Sequence, residues 1–386
     1  MIKRKITQEL LTVAGEYPVV TVNGPRQSGK TTLVRAVFPD HTYCNLEQPD
    51  VRALALQDPK TFMRTYPAPV IFDEIQRVPD ILSYIQVAVD ESKKRGQYIL
   101  TGSHNLTLHA AVTQSLAGRT AMLTLWPLSM EELQNAGVNA ERDEWIQRGF
   151  FPRVYDEDLD PGRHARNYLQ TYVERDVRQI LNIRDLGQFE QFIYYLAGRA
   201  GQLLNYESMA NDLGVTGKTL KQWVSVLEAS FVIFRLLPYY ENFGKRLVKS
   251  AKLYFTDTGF LCHLLGIDSA DKVGRDPLLG ALFENLVVSE AMKARLNRGT
   301  LPHLSFFRDN NGNEVDLLYQ KGRSLVPVEI KASRTWNPDF LKGIRYLRRT
   351  ADHVQPGAVI YSGELTPAYE EARVLHFRDT ASLFKA

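Results

Sequence analysis

One stretch decides the fold of this 386-residue chain: Gly24-Pro25-Arg26-Gln27-Ser28-Gly29-Lys30-Thr31. It matches the pattern G-x-x-x-x-G-K-[ST], in which the backbone N–H groups of a glycine-rich loop surround phosphate groups. An apolar run over residues 18–23 predicts a strand before it, and residues 30–37 predict a helix after it. A loop between a strand and a helix N-terminus favours anion binding, whereas the alternative is a glycine-rich turn without a ligand.

The loop therefore predicts a nucleotide site. Lys30 is expected to neutralise the β- and γ-phosphates of ATP, and the Thr31 hydroxyl to ligate Mg²⁺. The candidate nucleotide-binding residues share this loop and the first turn of the helix: Gly24, Pro25, Arg26, Gln27, Ser28, Gly29, Lys30, Thr31 and Thr32.

Two acidic residues complete the predicted site. Asp73 and Glu74 end an apolar strand over residues 69–73. We expect Asp73 to hold Mg²⁺ and Glu74 to deprotonate the attacking water. A fourth strand, 97–101, ends in polar groups, and one of Thr101, Ser103 and Asn105 is a candidate to position that water. The alternatives are solvated or simply polar strand ends.

The first third of the chain alternates strands with helices, which indicates an α/β fold with a parallel five-stranded sheet. The predicted strands are 18–23, 42–46, 69–73, 97–101 and 121–125, and the predicted helices between them are 30–37, 50–64, 79–94 and 105–116. We expect four units: the ATPase sheet at 1–130, a helical connector at 131–203, a winged helix at 204–274 and an α/β domain at 275–386.

Composition and charge further limit the class of protein to which the chain can belong. The chain is 44% hydrophobic and 24% charged, and 47 Lys and Arg against 44 Asp and Glu leave a net charge of only +3. Any nucleic-acid contact must therefore come from a local patch. Cys44 and Cys262 are too far apart in sequence for a metal motif, and no apolar run approaches the roughly 18 residues of a membrane span. The basic start at Met1 lacks a signal-peptide core, so we expect a cytoplasmic protein without a membrane partner.

A local basic patch is found in the third unit. Helices over 206–213 and 216–229, followed by strands over 232–236 and 252–255, are typical of a winged helix. Its segment 214–252 holds seven basic residues, Lys218, Lys221, Arg235, Lys245, Arg246, Lys249 and Lys252, against Glu228 and Glu241. The candidate DNA-binding residues are Lys218, Lys221, Lys245, Arg246 and Lys249. Winged helices also bind proteins, so a protein partner stays an alternative.

The last unit carries a second charged constellation. A helix over 278–296, strands over 304–307, 314–319 and 325–331, a helix over 339–350 and a strand over 358–361 predict a small α/β domain. Asp316, Glu329 and Lys331 follow the spacing D…E-x-K, and Glu284 adds an acid on the first helix. This resembles the PD-(D/E)XK nuclease fold, with Glu284, Asp316 and Glu329 as metal ligands and Lys331 orienting a water. The alternative is a degenerate fold that keeps these residues for structure.

The first 130 residues resemble the AAA+ ATPases in the order of their motifs. In that family an arginine before the fifth strand reaches the γ-phosphate of the neighbouring subunit, and Arg119 in Ser115-Leu-Ala-Gly-Arg119 holds that place. The resemblance implies a homo-oligomer, with a six-membered ring expected.

The whole chain is similar to a prokaryotic family in which an AAA-type ATPase is fused to a C-terminal domain of uncharacterised function. The resemblance is carried by ILTGS at 99–103, SLAGR at 115–119, and the segments 149–152, 172–176, 254–259, 314–318 and 328–331. It implies a Mg²⁺-dependent ATPase that translocates or remodels DNA, with metal-dependent cleavage as a further expectation. The alternative is a nucleotide-dependent switch whose C-terminal domains bind a protein partner.

Overall fold

The first unit is built on a five-stranded sheet in the order β2-β3-β4-β1-β5. A computed structural model of the chain describes residues 2–103, 112, 114–173, 186–239 and 248–385. Every neighbouring pair in this sheet is parallel. The strands are β1 (Val19–Asn23), β2 (Thr42–Asn45), β3 (Val70–Asp73), β4 (Tyr98–Gly102) and β5 (Thr120–Thr124). This arrangement confirms the predicted strands to within two residues and gives the P-loop NTPase fold.

Helices cover both faces of this sheet, and this is why its central strands are apolar along their whole length. All five residues of β1 are buried: Val19 belongs to the core on one face, and Val20 and Val22 to the core on the other. The helices are α1 (Thr7–Glu16), α2 (Lys30–Val37), α3 (Pro49–Gln57), α4 (Pro59–Thr65) and α5 (Ile81–Ser92).

Two helix predictions need comment. The predicted helix 50–64 is wrong as a single element, because Pro59 begins a new helix and has no N–H for the hydrogen bonds of the first. Asp58 caps the second helix by accepting a hydrogen bond from the Thr61 N–H at 3.0 Å. The predicted helix 105–116 lies mostly outside the described residues.

Short helices lead away from the sheet. They are α6 (Met130–Asn135), α7 (Arg142–Arg148), α8 (Pro152–Asp156), α9 (Pro161–Tyr168) and α10 (Leu186–Ala197). Next come α11 (Tyr206–Leu213), α12 (Gly217–Ala229) and an antiparallel hairpin of β6 (Ile233–Leu236) and β7 (Lys252–Phe255). The predicted helix-turn-helix elements are confirmed: Gly214 ends α11 in the left-handed conformation, and the Thr216 hydroxyl caps α12 by accepting the Thr219 N–H.

A second, mixed five-stranded sheet closes the chain, in the order β12-β11-β10-β9-β8. Strands β8 (Leu304–Arg308), β9 (Glu314–Lys321) and β10 (Ser324–Lys331) are antiparallel neighbours, and β11 (Gly357–Tyr361) and β12 (Ala372–His376) continue in parallel. The remaining helices are α13 (Thr258–Leu264), α14 (Ala270–Arg275), α15 (Leu279–Leu296), α16 (Lys342–Thr350) and α17 (Thr380–Leu383). Helices α13 and α14 and strand β12 were not expected from the sequence.

The core of the later units is shared. One cluster of buried apolar side chains extends from Trp126 to Phe384 and includes members of all three predicted later units. The hairpin also joins the second sheet through its backbone, because the Tyr239 N–H donates to the Phe306 carbonyl oxygen at 2.9 Å. The boundaries at 203/204 and 274/275 stay a prediction, and they do not separate independent cores. Within the described ranges, no helix is long and apolar enough to cross a membrane.

Candidate nucleotide-binding site

The loop after β1 has a backbone that only glycine adopts easily at two positions. Gly24 has φ +146°, and a Cβ atom there would collide with the Leu125 carbonyl oxygen on the neighbouring strand. Gly29 has φ +91° and stands as the N-cap of α2. Gln27 also takes a left-handed conformation, with φ +61°. These residues turn the loop around the N-terminus of α2, as phosphate binding requires.

The two motif side chains of α2 point to different partners. The buried Lys30 Nζ donates to the carbonyl oxygens of Gly24 and Pro25 at 2.9 and 2.8 Å. The Thr31 hydroxyl donates to Asp73 Oδ2 at 2.9 Å, across 42 residues of sequence. The predicted partners Thr31 and Asp73 are thus brought together at the carboxyl edge of the sheet.

Asp73 lies at the centre of a hydrogen-bond network. Besides Thr31, it accepts hydrogen bonds from the Thr101 hydroxyl and, at 2.7 Å, from the Tyr43 hydroxyl. Burial and the adjacent Asp73 carboxylate raise the pKa of Tyr43, so this hydroxyl stays protonated and donating. Sequence reasoning did not find Tyr43; its place in β2, the strand beside β3, was the available signal.

Glu74 is held in an unusual backbone conformation. Its φ of +58° is left-handed, which is rare for a residue with a side chain and recurs at functional sites. The Ser103 hydroxyl donates to Glu74 Oε2 at 3.0 Å, and Gln76 donates to the same oxygen. Of the three candidates for positioning the water, Thr101 therefore donates a hydrogen bond to Asp73 and Ser103 donates one to Glu74. Asn105 lies outside the described residues.

The donor set fits ATP and Mg²⁺. Thr31 and Asp73 offer the hydroxyl and carboxylate oxygens that Mg²⁺ prefers. Inside the loop, the Ser28 hydroxyl is fully buried and has no hydrogen-bond partner among the described residues, which leaves a donor for a bound group. Thr32 lies one residue further along α2 and lines a cavity of about 240 Å³. Ile2, Ala36, Leu128 and Pro152 also line this cavity.

Arg4 holds the loop through hydrogen bonds, and the sequence analysis did not identify it. Its guanidinium donates to the carbonyl oxygens of Ser28 and Trp126, each at 2.6 Å, and to Glu132 Oε1 at 3.0 Å. Both side chains of the Arg4–Glu132 ion pair are almost fully buried. Since Glu132 belongs to α6, this contact connects the loop to the first helix beyond the sheet.

Helix α9 also contacts the loop. His164 Nε2 lies 2.8 Å from Gln27 Oε1, and the ring packs against Phe151. Burial, assisted by Arg153, lowers the pKa of His164 to about 4, so the ring is neutral at pH 7. The remaining loop candidate, Arg26, forms an ion pair with Glu47 at 3.7 Å.

Arg119 is not part of this site. It precedes β5, whose first residue is in register with Val19 at the start of β1, so Arg119 lies at the amino edge of the sheet and the loop at the carboxyl edge. Its guanidinium forms a two-point ion pair with Asp90, at 2.7 and 2.8 Å. An action on a neighbouring subunit's nucleotide stays a prediction.

The C-terminal domain brings its predicted residues together as ion pairs. Lys331 Nζ lies 2.8 Å from Asp316 Oδ2 and 2.5 Å from Glu329 Oε2. Glu284 is 2.9 Å from Lys252 Nζ, which reaches in from β7. In the part of the chain that the structure describes, no group of three or more His, Cys, Asp or Glu side chains is arranged to hold a metal ion. Metal binding by Glu284, Asp316 and Glu329 therefore has no support from this geometry.

The electrostatics of this cluster follow from its burial. Burial and the neighbouring Asp316 raise the pKa of Glu329 to about 8. Burial alone would raise the pKa of Asp316 as well, but the ammonium groups of Lys331 and Lys252 hold it below its usual value. Burial therefore favours the protonated form of Glu329, whereas the two ammonium groups favour the ionised form of Asp316.

The basic patch is smaller than the sequence suggests. Lys218 and Lys221 are exposed on α12, and Lys249 is exposed before β7. Lys252 is buried, so counting it in an exposed patch was wrong, and Arg235 forms an ion pair with Glu228 at 2.7 Å. Lys245 and Arg246 lie outside the described residues.

Three family models match the chain in succession. An AAA domain matches residues 16–134, a domain of unknown function (DUF8612) residues 139–271, and a second one (DUF4143) residues 279–379. The AAA match covers the loop, Asp73, Glu74 and Arg119, and it supports the AAA-type ATPase resemblance.

Relatives match over most of the chain. Uncharacterized proteins of Mycobacterium bovis and Mycobacterium tuberculosis are each 31% identical over 345 residues, which is 89% of this chain and 76% of theirs. Among solved structures, a Walker-type ATPase of Pyrococcus abyssi is 15% identical and covers 68% of this chain and 95% of its own, with a TM-score of 0.42. AMPPCP-bound DnaA of Aquifex aeolicus is 13% identical and covers 58% of this chain and 85% of its own, with a TM-score of 0.30.

Proposed function

Since the chain belongs to the family of these mycobacterial proteins and carries an AAA domain, we propose that it binds ATP with Mg²⁺ and hydrolyses it. One observation carries the proposal: Lys30, Thr31, Asp73 and Glu74 come from two segments of sequence and meet at one edge of the parallel sheet. Phosphoryl transfer to water depends mainly on positioning and charge, and these four side chains supply both.

Each side chain has a separate role in this proposal. Lys30 neutralises phosphate charge, and Thr31 and Asp73 hold the metal ion, which adds charge stabilisation when bound. Glu74 accepts a proton from the attacking water. Ser103 keeps the Glu74 carboxylate oriented through its 3.0 Å hydrogen bond, so it is a positioning residue.

The decisive variant is Glu74→Gln. It keeps the shape of the side chain and removes its basicity, so we expect ATP binding to persist while turnover falls by roughly 100-fold or more. Steady-state ATPase assays and nucleotide-binding titrations measure the two effects separately. Glu91→Gln, at an exposed position on α5, makes the same chemical change and should leave turnover intact. Wild-type turnover in Glu74→Gln would remove Glu74 from the reaction.

A homo-oligomer belongs to this proposal because Arg119 lies away from the nucleotide site of its own subunit. An arginine on one subunit can complete the site of the next in a closed ring, as in the six-membered ring that the resemblance implies.

For the task that ATP drives, we propose action on DNA. The exposed Lys218 and Lys221 lie one turn apart on α12, so both reach the same surface, and Lys249 is exposed on the hairpin side. Replacing all three by Ala should weaken duplex binding for every sequence and flatten its salt dependence, because each phosphate contact releases counterions. The matched control replaces the exposed Lys60, Lys94 and Lys321, which removes the same charge elsewhere. Equal DNA affinity in both triple variants would place the DNA contact elsewhere.

The competing proposal is a nucleotide-dependent switch that binds a protein partner. It is favoured by the attachment of the hairpin to the second sheet, where Tyr239 and Val248 donate backbone hydrogen bonds to Phe306 and Arg308. ATPase activity that DNA does not stimulate at any salt concentration would favour the switch. We leave metal-dependent DNA cleavage out of the proposed function because lysine ammonium groups already contact the carboxylates of the C-terminal domain.

A further inference from the structure

We propose that Lys252 takes the place of a metal ion in the C-terminal domain, so that this domain is held to the β6–β7 hairpin by a metal-free cluster of ion pairs. The resemblance to the PD-(D/E)XK nucleases and the D…E-x-K spacing imply a metal site formed by Glu284, Asp316 and Glu329, but the side chains around these carboxyl groups do not fit one. The inference concerns residues remote from the nucleotide site and stands independently of ATP hydrolysis.

The contacts of the carboxylate oxygens are the first argument. Lys252 Nζ lies 2.9 Å from Glu284 Oε1 and 2.5 Å from Glu314 Oε1. Glu284 Oε1 also accepts the Tyr254 hydroxyl at 2.5 Å. Asp316 Oδ2 accepts the Ile330 N–H at 2.8 Å in addition to Lys331. One oxygen atom of each of Glu284, Asp316 and Glu329 is therefore already used by donors of the protein.

The position of Lys252 is fixed by its backbone and its packing. Lys252 pairs with Leu236 across the hairpin and forms a bridge with Leu203. Its side chain is only 4% exposed, and its ammonium lies 5.6 Å from the ring centre of Phe306 on β8. A side chain enclosed in this way stays within the cluster as long as the hairpin stays paired with the second sheet.

Charge balance is the second argument. The cluster contains the carboxyl groups Glu284, Glu314, Asp316 and Glu329 and the cations Lys252, Lys331 and Arg308. Each of the two lysine ammonium groups contacts two of these carboxyl groups, and the Arg308 guanidinium lies 3.1 Å from Glu314. A divalent cation placed among these carboxyl groups would be repelled by both ammonium groups.

The test uses the full chain and Mn²⁺ as the probe, without nucleotide. Electron paramagnetic resonance measures the Mn²⁺ bound by each protein. Binding at the cluster is defined as the bound Mn²⁺ that is lost when Asp316→Asn is introduced into that protein. For the wild type we expect none. Lys252→Ala removes the ammonium and opens space between Glu284 and Glu314, so it should lower Tm and bind Mn²⁺ at the cluster, where the wild type binds none. Mn²⁺ should then restore part of the lost Tm in Lys252→Ala and leave the wild-type Tm unchanged.

Two further variants serve as controls for this experiment. Lys252→Arg keeps the positive charge and should resemble the wild type in both Tm and lack of Mn²⁺ binding. Asp316→Asn combined with Lys252→Ala should lose the gained binding. Wild-type Mn²⁺ binding that Asp316→Asn abolishes would overturn the proposal even if Lys252→Ala fails to fold. A folded Lys252→Ala protein that binds no more Mn²⁺ than the wild type would also overturn it.

Discussion

The nucleotide site and the C-terminal cluster both combine lysines with acidic residues at strand ends, but they use the lysines in opposite ways. Lys30 donates to two backbone carbonyl oxygens, which carry no formal charge. Lys252 and Lys331 each lie within 3 Å of two carboxyl groups. The carbonyl oxygens hold Lys30 within the loop motif, whereas the acidic side chains around Lys252 and Lys331 form internal ion pairs with them. The same residue types therefore indicate a ligand in one region and an internal contact in the other.

Glycines show the same contrast. In the loop, Gly24 and Gly29 take positive φ values that turn the backbone around the helix N-terminus. In the C-terminal domain, Gly343 makes room for one of the chain's own carboxylates, because a Cβ atom there would collide with Glu329 Oε1. The glycines of the loop let the backbone turn around the N-terminus of α2. Gly343 in the C-terminal domain makes room for the buried side chain of Glu329.

The largest expected effect comes from the same change, lysine to alanine, made separately in each of the two regions. Lys30→Ala should abolish ATP binding and change Tm little, because the phosphate charge loses its ammonium partner. Lys252→Ala should leave ATP affinity unchanged and lower Tm, because it leaves buried carboxylates without their cation. Calorimetric ATP titration and thermal unfolding of both variants measure the four outcomes. ATP binding that survives Lys30→Ala, or that falls in Lys252→Ala, would erase the distinction between the two regions.

The sequence predicted the first sheet well because the information that defines its strands and the loop is local. Eight consecutive residues define the loop, and the acids end a strand that is apolar throughout, so the five strands and Lys30, Thr31, Asp73 and Glu74 could be placed without long-range contacts. Arg4 and His164 could not, since they meet the loop across 24 and 137 residues. Nothing in the local pattern marks either one.

The same limit explains the errors in the later units. Lys252 was counted with an exposed basic patch because its neighbours in sequence are basic, but its partners Glu284 and Glu314 come from another helix and another strand. Strand β12 was missed because Ala372–His376 has only three apolar residues, which Arg373 interrupts. Burial by distant elements, which the sequence does not display, decides both cases.

The next effect concerns a cation whose carboxylate partner is exposed. The Arg119–Asp90 pair is partly open to solvent, at 32% and 49% of the two side chains, and an exposed pair of this kind is easily exchanged for another partner. Arg119→Ala should keep ATP affinity and lower turnover by about 1,000-fold or more if Arg119 acts on a neighbouring subunit.

The control for Arg119 is Asp90→Ala, which releases the arginine without removing it and should retain turnover. Mixing Arg119→Ala with Glu74→Gln protein should restore part of the activity at mixed interfaces, and turnover per subunit should rise with protein concentration. Unchanged hydrolysis in Arg119→Ala would assign the arginine a structural role like that of the C-terminal lysines.

The smallest expected effect is a pH dependence at the edge of the nucleotide site. Burial lowers the pKa of His164 from its usual 6.5 to about 4, so the unfolded chain binds a proton at this position more readily than the folded protein. Stability from this residue is therefore complete above pH 6.5 and is lost as the pH falls toward 4. Between pH 7 and pH 5 this loss amounts to about 2 kcal/mol of unfolding free energy. His164→Gln removes the titrating ring and keeps a side chain that can donate to Gln27. Urea unfolding at the two pH values should show that the variant loses about 2 kcal/mol less stability than the wild type. An equal loss in both proteins would mean that the ring is protonated while it packs against the loop, as a charged partner of the kind found in the C-terminal cluster.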